Sequence, residues 1–293
     1  MNIESSIYPF QGAYFDRGGV KLHYLDEGEG EPVVMVHGNP SWSIYYRNLV
    51  TALSGEYRCI VPDHIGCGFS DKPGDDQYDY TLGERVADLT ALLEHLGATE
   101  KITLVVHDWG GMIGMLYAVR HPERIKQIVV LNTSAFHLPE SKKFPLPLWL
   151  CRTPLGAFLI RGFNAFSGTA AKVCCTRNPM TPELKKAYCA PYDSWANRIA
   201  TLRFVQDIPL KKSDRTYDLV SEVEGNVQQF SNTPILVCWG LTDFVFDKHF
   251  LAKWQETFPT AEVHAFEDGG HYVLEDCADE VIPLIESFME RNR

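Results

Sequence analysis

The chain has 293 residues, 45% of them hydrophobic, with 38 Asp and Glu against 27 Lys and Arg, a formal net charge of -11. That length buries a large core as one domain with an insertion or as two domains. The acidic balance excludes nucleic acid, which rewards clustered Lys and Arg, and it argues against an anionic membrane surface. Residues 1–10 carry Glu4 and no basic, apolar leader pattern, so secretion is not expected. The eight cysteines include no C-x-x-C pair, which fits reduced thiols in a cytoplasmic protein better than disulfides or a zinc site.

Val20 to Leu25 alternates as an edge strand does, and Pro32 to Val36 is continuously apolar, as a central strand is. The turn His37-Gly38-Asn39-Pro40 closes the second. Arg58 to Val61 is a third short strand, followed by Pro62-Asp63 and the glycine turn Gly66-Cys67-Gly68. Thr81 to Leu96 predicts an amphipathic helix, with Val86, Leu89, Leu92, Leu93 and Leu96 at helical spacing. Thr81 and Glu84 make a capping box, and Gly97 stops the helix. Ile102 to Val106 reads as a buried strand, then comes the turn His107-Asp108-Trp109-Gly110-Gly111 and a buried helix, Met112 to Val119. Ile125 to Leu131 is the next strand. This alternation implies right-handed crossovers and a mainly parallel sheet.

From Ser134 to about Gly225 the rhythm stops, and a helical insertion is expected: a cap over residues 134–225 between core segments 1–133 and 226–293. Prolines, Arg152 and Arg161 interrupt its apolar run, which argues against a membrane span. Phe136, Phe144, Trp149, Phe158 and Phe163 are assigned to its core rather than to a pocket. Strand Ile235 to Trp239, helix Lys248 to Phe258, strand Glu262 to Phe266 and helix Asp279 to Arg291 complete the α/β pattern.

Strand, tight turn and helix around Asp108 form the setting of a nucleophile elbow, with aspartate in the reactive position. An aspartate there is also an excellent helix cap, and taken alone the cap would be the better reading. Two further loop residues change the balance. His271, in Asp268-Gly269-Gly270-His271, follows the last strand, and Asp243, in Trp239-Gly240-Leu241-Thr242-Asp243, follows the strand before it. Both belong at the carboxyl edge of the sheet, where open α/β folds keep their ligands. The order nucleophile, acid, histidine is that of α/β-hydrolases. A carboxylate nucleophile leaves an ester on the enzyme, and water activated by His271 would then attack the carboxyl carbon of Asp108. The backbone N–H groups of Asn39 and Trp109 are the candidate oxyanion donors, and Asp243 would orient His271. No spacing supports a metal, and His64 and His107 are taken as hydrogen-bonding fold residues.

The set His37-Gly38-Asn39-Pro40, Pro62-Asp63-His64-Ile65-Gly66-Cys67-Gly68-Phe69-Ser70-Asp71-Lys72-Pro73, His107-Asp108-Trp109-Gly110-Gly111 and Gly270-His271 resembles the haloalkane dehalogenases across nearly the whole chain. That resemblance implies an α/β-hydrolase fold with Asp108 as nucleophile and His271 as base. It also implies side-chain N–H groups of Asn39 and Trp109 as donors to a leaving halide. One branch of the family carries its acid just after the strand ending near Leu131, where this chain has Asn132, so Asp243 is preferred and Asp247 is the fallback. Asn and Trp donors with an Asp acid resemble the third subfamily, which is similar in turn to the β-lactone decarboxylases of long-chain olefin biosynthesis. The implied activity is cofactor-independent hydrolysis of carbon–halogen bonds in a small apolar substrate, releasing halide, with β-lactone decarboxylation as the alternative. The resemblance further implies a homo-oligomer. Epoxide hydrolysis, with Tyr188, Tyr192 or Tyr217 as proton donor, and a non-catalytic ligand receptor rank lower.

Overall fold

A computed structural model describes residues 3–293. Eight strands, β1 (Ala13–Asp16), β2 (Lys21–Glu27), β3 (Pro32–Val36), β4 (Arg58–Pro62), β5 (Ile102–Asp108), β6 (Ile125–Thr133), β7 (Ile235–Gly240) and β8 (Glu262–Phe266), form one sheet. Their spatial order is β1-β2-β4-β3-β5-β6-β7-β8. β1 and β2 pair antiparallel, β2 joins β4 antiparallel, and every pairing from β4 to β8 is parallel. β1 escapes sequence reading because only four residues, alternately half-buried and exposed, lie between turns.

β5 and β7 are buried along their whole length, which is why they read as unbroken apolar runs. The covering helices include α1 (Arg47–Leu53), α2 (Leu82–His95) and α3 (Trp109–Arg120). Thr81 caps α2 as its capping box predicts, its hydroxyl accepting from the Glu84 N–H. After β3 the chain moves to β4 on one side, whereas β5 to β8 build outward on the other. The strand order therefore reverses between β3 and β5, the place where an open α/β sheet offers a crevice at its carboxyl ends.

Between β6 and β7 run α4 (Leu146–Cys151), α5 (Pro154–Phe163), α6 (Ala165–Val173), α7 (Pro182–Cys189), α8 (Ile199–Gln206) and α9 (Tyr217–Asn226). The apolar run from Leu155 to Phe166 is two helices, broken where Asn164 adopts φ 54°. Trp149, Phe158 and Phe163 are exposed, contrary to their assignment to the core, because α4 and α5 turn an apolar face outward. Phe136 is buried and Phe144 half-buried, and both face a cavity. α10 (Lys248–Thr257), α11 (Val273–Asp276) and α12 (Ala278–Arg291) complete the chain, α12 packing beside α1. All eight cysteines are free thiols. No described helix is long and apolar enough to cross a membrane.

Candidate active site

Asp108 ends β5 at φ 52° and ψ -125°, a left-handed conformation that a side-chain-bearing residue occupies only at a cost of about 1–3 kcal/mol. The surroundings enforce it. Thr133 Oγ1 donates to the Asp108 carbonyl, and Gly110 lies so close to the Val36 carbonyl that any Cβ there would collide. The Asp108 side chain makes no capping bond to α3, so the helix-cap reading of this residue fails. Its Oδ1 accepts the Asn39 N–H at 2.6 Å, and the nearby Trp109 N–H pulls the carboxyl pKa down. Its Oδ2 lies 3.7 Å from His271 Nε2, beyond hydrogen-bond length. The two expected oxyanion donors therefore both act on this carboxylate, Asn39 through a hydrogen bond and Trp109 through its pull on the pKa. In a nucleophilic carboxylate the oxyanion forms on the carboxylate itself, so that is the useful place for them.

His271 follows β8 in a glycine turn tied down at several points. The Gly270 N–H donates to Asp276 Oδ2 at 2.7 Å, the His271 carbonyl accepts from His107 Nε2 at 2.9 Å, and the Tyr272 N–H donates to the Cys174 carbonyl at 2.9 Å. Asp276 is fully buried and also accepts the N–H groups of Thr176 and Asn178, joining this turn to the loop after α6. His271 Nδ1 donates to Asp243 Oδ2 at 2.7 Å. Asp243 Oδ1 accepts the Val245 N–H at 2.7 Å, and Asn132 Nδ2 donates to Oδ2 at 3.1 Å. Asp247, the fallback acid, instead caps α10 and pairs with Lys142 at 2.6 Å. The imidazole takes Asp243 as its partner.

Sequence reading missed Asp276, Thr133 and the part that Asn132 plays. Asn132 sits where the related branch places its acid, and here it also spans Gly240, donating to its carbonyl and accepting its N–H at 2.8 Å. Its position at the carboxyl end of β6 was the available signal. His37 bonds the Gly38 carbonyl and accepts the His64 N–H, while His64 Nε2 donates to the His37 carbonyl, so the two rings brace the turn that carries Asn39. Burial keeps both rings neutral, pulling His37 down to about 4 and His64 well below the usual histidine range.

Burial also raises the Asp108 carboxyl above its ordinary range, against the pull of His271 and the two backbone N–H groups. Burial pulls His271 down, yet Asp243, through its charge and its hydrogen bond, and Asp108 more than offset this and hold the imidazole above its ordinary value. The carboxyl and the imidazole are thus each shifted upward, the first by burial and the second by its two acidic neighbours.

Above them lies a cavity of about 420 Å³. Asp108, Trp109, Asn39 and His271 contribute to its lining, and Phe136, Leu148, Ile160, Phe166 and Phe246 make it apolar. Asn39 Nδ2 donates to the Thr201 carbonyl at 3.1 Å, which fixes the amide orientation, because a carbonyl can only accept. One N–H remains for a ligand, and the Asn39 Oδ1 is buried without a partner. Tyr188 bonds Glu275, Tyr192 bonds the Ser41 carbonyl and Tyr217 stacks on His137. None of the three lines the cavity, so epoxide hydrolysis loses its proton donors.

A family profile described as the alpha/beta hydrolase fold matches residues 31–277. A cis-3-alkyl-4-alkyloxetan-2-one decarboxylase of Shewanella oneidensis is 63% identical, covering 97% of this chain and 90% of that protein. Its namesake in Xanthomonas campestris is 50% identical, with 94% of each covered. The crystal structure of the haloalkane dehalogenase DatA from Agrobacterium tumefaciens superposes with a TM-score of 0.84 at 24% identity, covering 97% of both chains. With the sheet order, the elbow at Asp108 and this profile in agreement, the chain is an enzyme of the alpha/beta hydrolase family.

Proposed function

We propose that this enzyme is a β-lactone decarboxylase, converting cis-3,4-dialkyl-oxetan-2-ones into a cis-alkene and carbon dioxide. The observation that carries this reading is the 63% identity, over nearly the whole chain, to a relative named for that substrate. It reverses the order suggested by the motifs, which put carbon–halogen hydrolysis first. The motifs report a carboxylate nucleophile and two side-chain donors, and both reactions need those.

In the proposed reaction Asp108 Oδ2 attacks ring carbon C4, and the C4–O bond breaks with its electron pair moving to the ring oxygen. The ring opens to a carboxylate on C3, and Asp108 holds C4 as an alkyl ester. The bond from C3 to the carboxylate then breaks. Carbon dioxide leaves, the pair forms C3=C4, and the C4–Oδ2 pair returns to Asp108. Inversion at C4 followed by anti elimination preserves the cis relation of the two alkyl groups. No water is consumed and no proton is gained or lost. The Asn39 amide and the Trp109 indole N–H can only donate toward the released carboxylate. As imidazolium, the form its acidic neighbours favour, His271 would ease departure of Asp108 as an anion.

Support comes from the apolar cavity, which suits two alkyl chains, and from an Asp108 oxygen free of backbone donors facing His271. The test incubates purified enzyme with a long-chain cis-β-lactone and, separately, with 1-bromohexane, following alkene and carbon dioxide in one case and bromide in the other. Equal yields of alkene and carbon dioxide, lost in Asp108→Asn, are expected. Bromide release without alkene would return the assignment to dehalogenation, a reading the Asn39 and Trp109 donors keep in second place. Turnover of neither would leave a ligand receptor.

A further inference from the structure

We propose that the outward apolar face of α4 and α5 is a peripheral docking surface for an anionic lipid bilayer. Leu155, Phe158, Leu159 and Phe163 form one stripe of α5, at i, i+3, i+4 and i+8, and all four are exposed, Leu155 by 68% and Phe163 by 69%. Trp149 and Leu150 of α4 extend the patch, and the Trp195 ring lies tilted beside Phe158, centroids 6.1 Å apart. An apolar stripe normally faces the core, so one turned to water marks an interaction site. The patch runs into the cavity over Asp108, because Leu150 and Leu159 are both exposed and cavity-lining.

Charge decides the occupant. The whole chain is acidic, yet residues 141–182 hold Lys142, Lys143, Arg152, Arg161, Lys172 and Arg177 and not one Asp or Glu. Lys142 pairs with Asp247, and Arg177 with Asp268 and Glu280. Lys143, Arg152, Arg161 and Lys172 have no ion-pair partner among the described residues, and nearby Arg198 donates to the carbonyls of Tyr192, Arg161 and Gly162. Of the neighbouring carboxylates, Asp75 is taken by Arg203, Asp193 bonds Asn197, and Asp214 accepts the Leu210 and Lys211 N–H groups. An apolar helix face bordered by cations, on a chain whose remainder repels anions, fits a negatively charged interface better than a second acidic copy of this chain. No described helix can span a bilayer, so the contact is peripheral.

Vesicle flotation tests this without reading turnover, so its failure is separate from any failure of the reaction assignment. The probes are vesicles of phosphatidylethanolamine with phosphatidylglycerol, and vesicles of phosphatidylcholine alone. The enzyme should float with the first, less so as salt rises, and stay down with the second. Leu155→Glu, Phe158→Glu and Phe163→Glu combined, none lining the cavity, should cut flotation by ~10-fold or more with the circular dichroism unchanged. Lys143→Glu with Lys172→Glu should weaken it mainly at low salt. Absence of flotation with either vesicle, or a triple variant that floats like the parent, overturns the proposal. So does a parent dimer in sedimentation velocity that the triple variant dissolves without the parent floating, since the patch is then a subunit contact.

Discussion

At Asp108 and His271 two reactions demand opposite protonation from the same pair. Hydrolysis of an ester needs neutral imidazole as base, so its rate rises with pH through the His271 pKa. Decarboxylation as proposed needs the imidazolium, so its rate falls there. Burial raises Asp108, and Asp243 holds His271 above its usual value of about 6.5. The expected profile for alkene formation is therefore a bell. Its acid limb lies above the ordinary carboxylate value of about 4, where Asp108 must ionise, and its alkaline limb lies above about 6.5. A rate that only climbs between pH 6 and 9 would contradict this use of His271. Oxygen labelling gives a second check. Water attacking an Asp108 ester leaves solvent oxygen in the carboxylate, whereas collapse by carbon dioxide loss leaves none. Turnover in H₂¹⁸O followed by peptide mass analysis should find Asp108 unlabelled. His271→Phe should slow alkene release and leave the ring-opened substrate as added mass on Asp108, without solvent oxygen in the carboxylate.

Individual elements set how well those two groups meet. The elbow depends on α3 approaching β3 so closely that Gly110 touches backbone, and Gly110→Ala should leave little folded protein on size-exclusion chromatography. On β6, Asn132 reaches across to the loop after β7 and helps hold Asp243. It touches no substrate and acts as a positioning residue. Asn132→Leu removes one bond to a charged group, of about 1.5–3 kcal/mol, so kcat should fall roughly 10- to 100-fold with KM little changed. Asn132→Asp would set a second carboxylate against Asp243 and should shift the alkaline limb of the pH profile upward, which a purely structural role would not do. These contacts were not legible in the chain, because Asn132 and Asp243 lie 111 residues apart and meet only when β6 and β7 pair. The amphipathic helix α2, by contrast, was visible from its own spacing and cap. The apolar run from Leu155 to Phe166 was also visible, but which way its side chains face depends on where α4, α6 and α8 leave room.

Over the whole molecule, the buried polar network of the β4 turn ties the sheet to the loops that surround the site. Asp63 is fully buried and accepts from the Ser43 and Phe69 N–H groups and pairs with His23 Nδ1 at 2.8 Å. Burial alone would raise its pKa, but the hydrogen bond from His23 and the backbone donors more than reverse this and hold it well below the ordinary value. A depressed carboxylate stabilises the fold above its unfolded pKa, about 4, and loses that contribution as pH falls toward its folded value. Asp63→Asn should therefore cost about 3–5 kcal/mol at neutral pH in urea unfolding and flatten the acid limb of stability between pH 5 and 2. Equal destabilisation at pH 7 and pH 3 would count against this account.

Most core strands and helices, the elbow motif, and the candidacy of Asp108, His271 and Asp243 were legible in the sequence, because strand and helix periods, turn residues and motif spacings are local. The sequence left Asp243 and Asp247 both open, and only the fold distinguished them, by setting one against the imidazole and the other against Lys142. The outward turn of α5, the role of Asn132 and the exclusion of the three tyrosines from the cavity were likewise tertiary. Each depends on how distant segments pack, and packing leaves no periodic trace along a single stretch of chain.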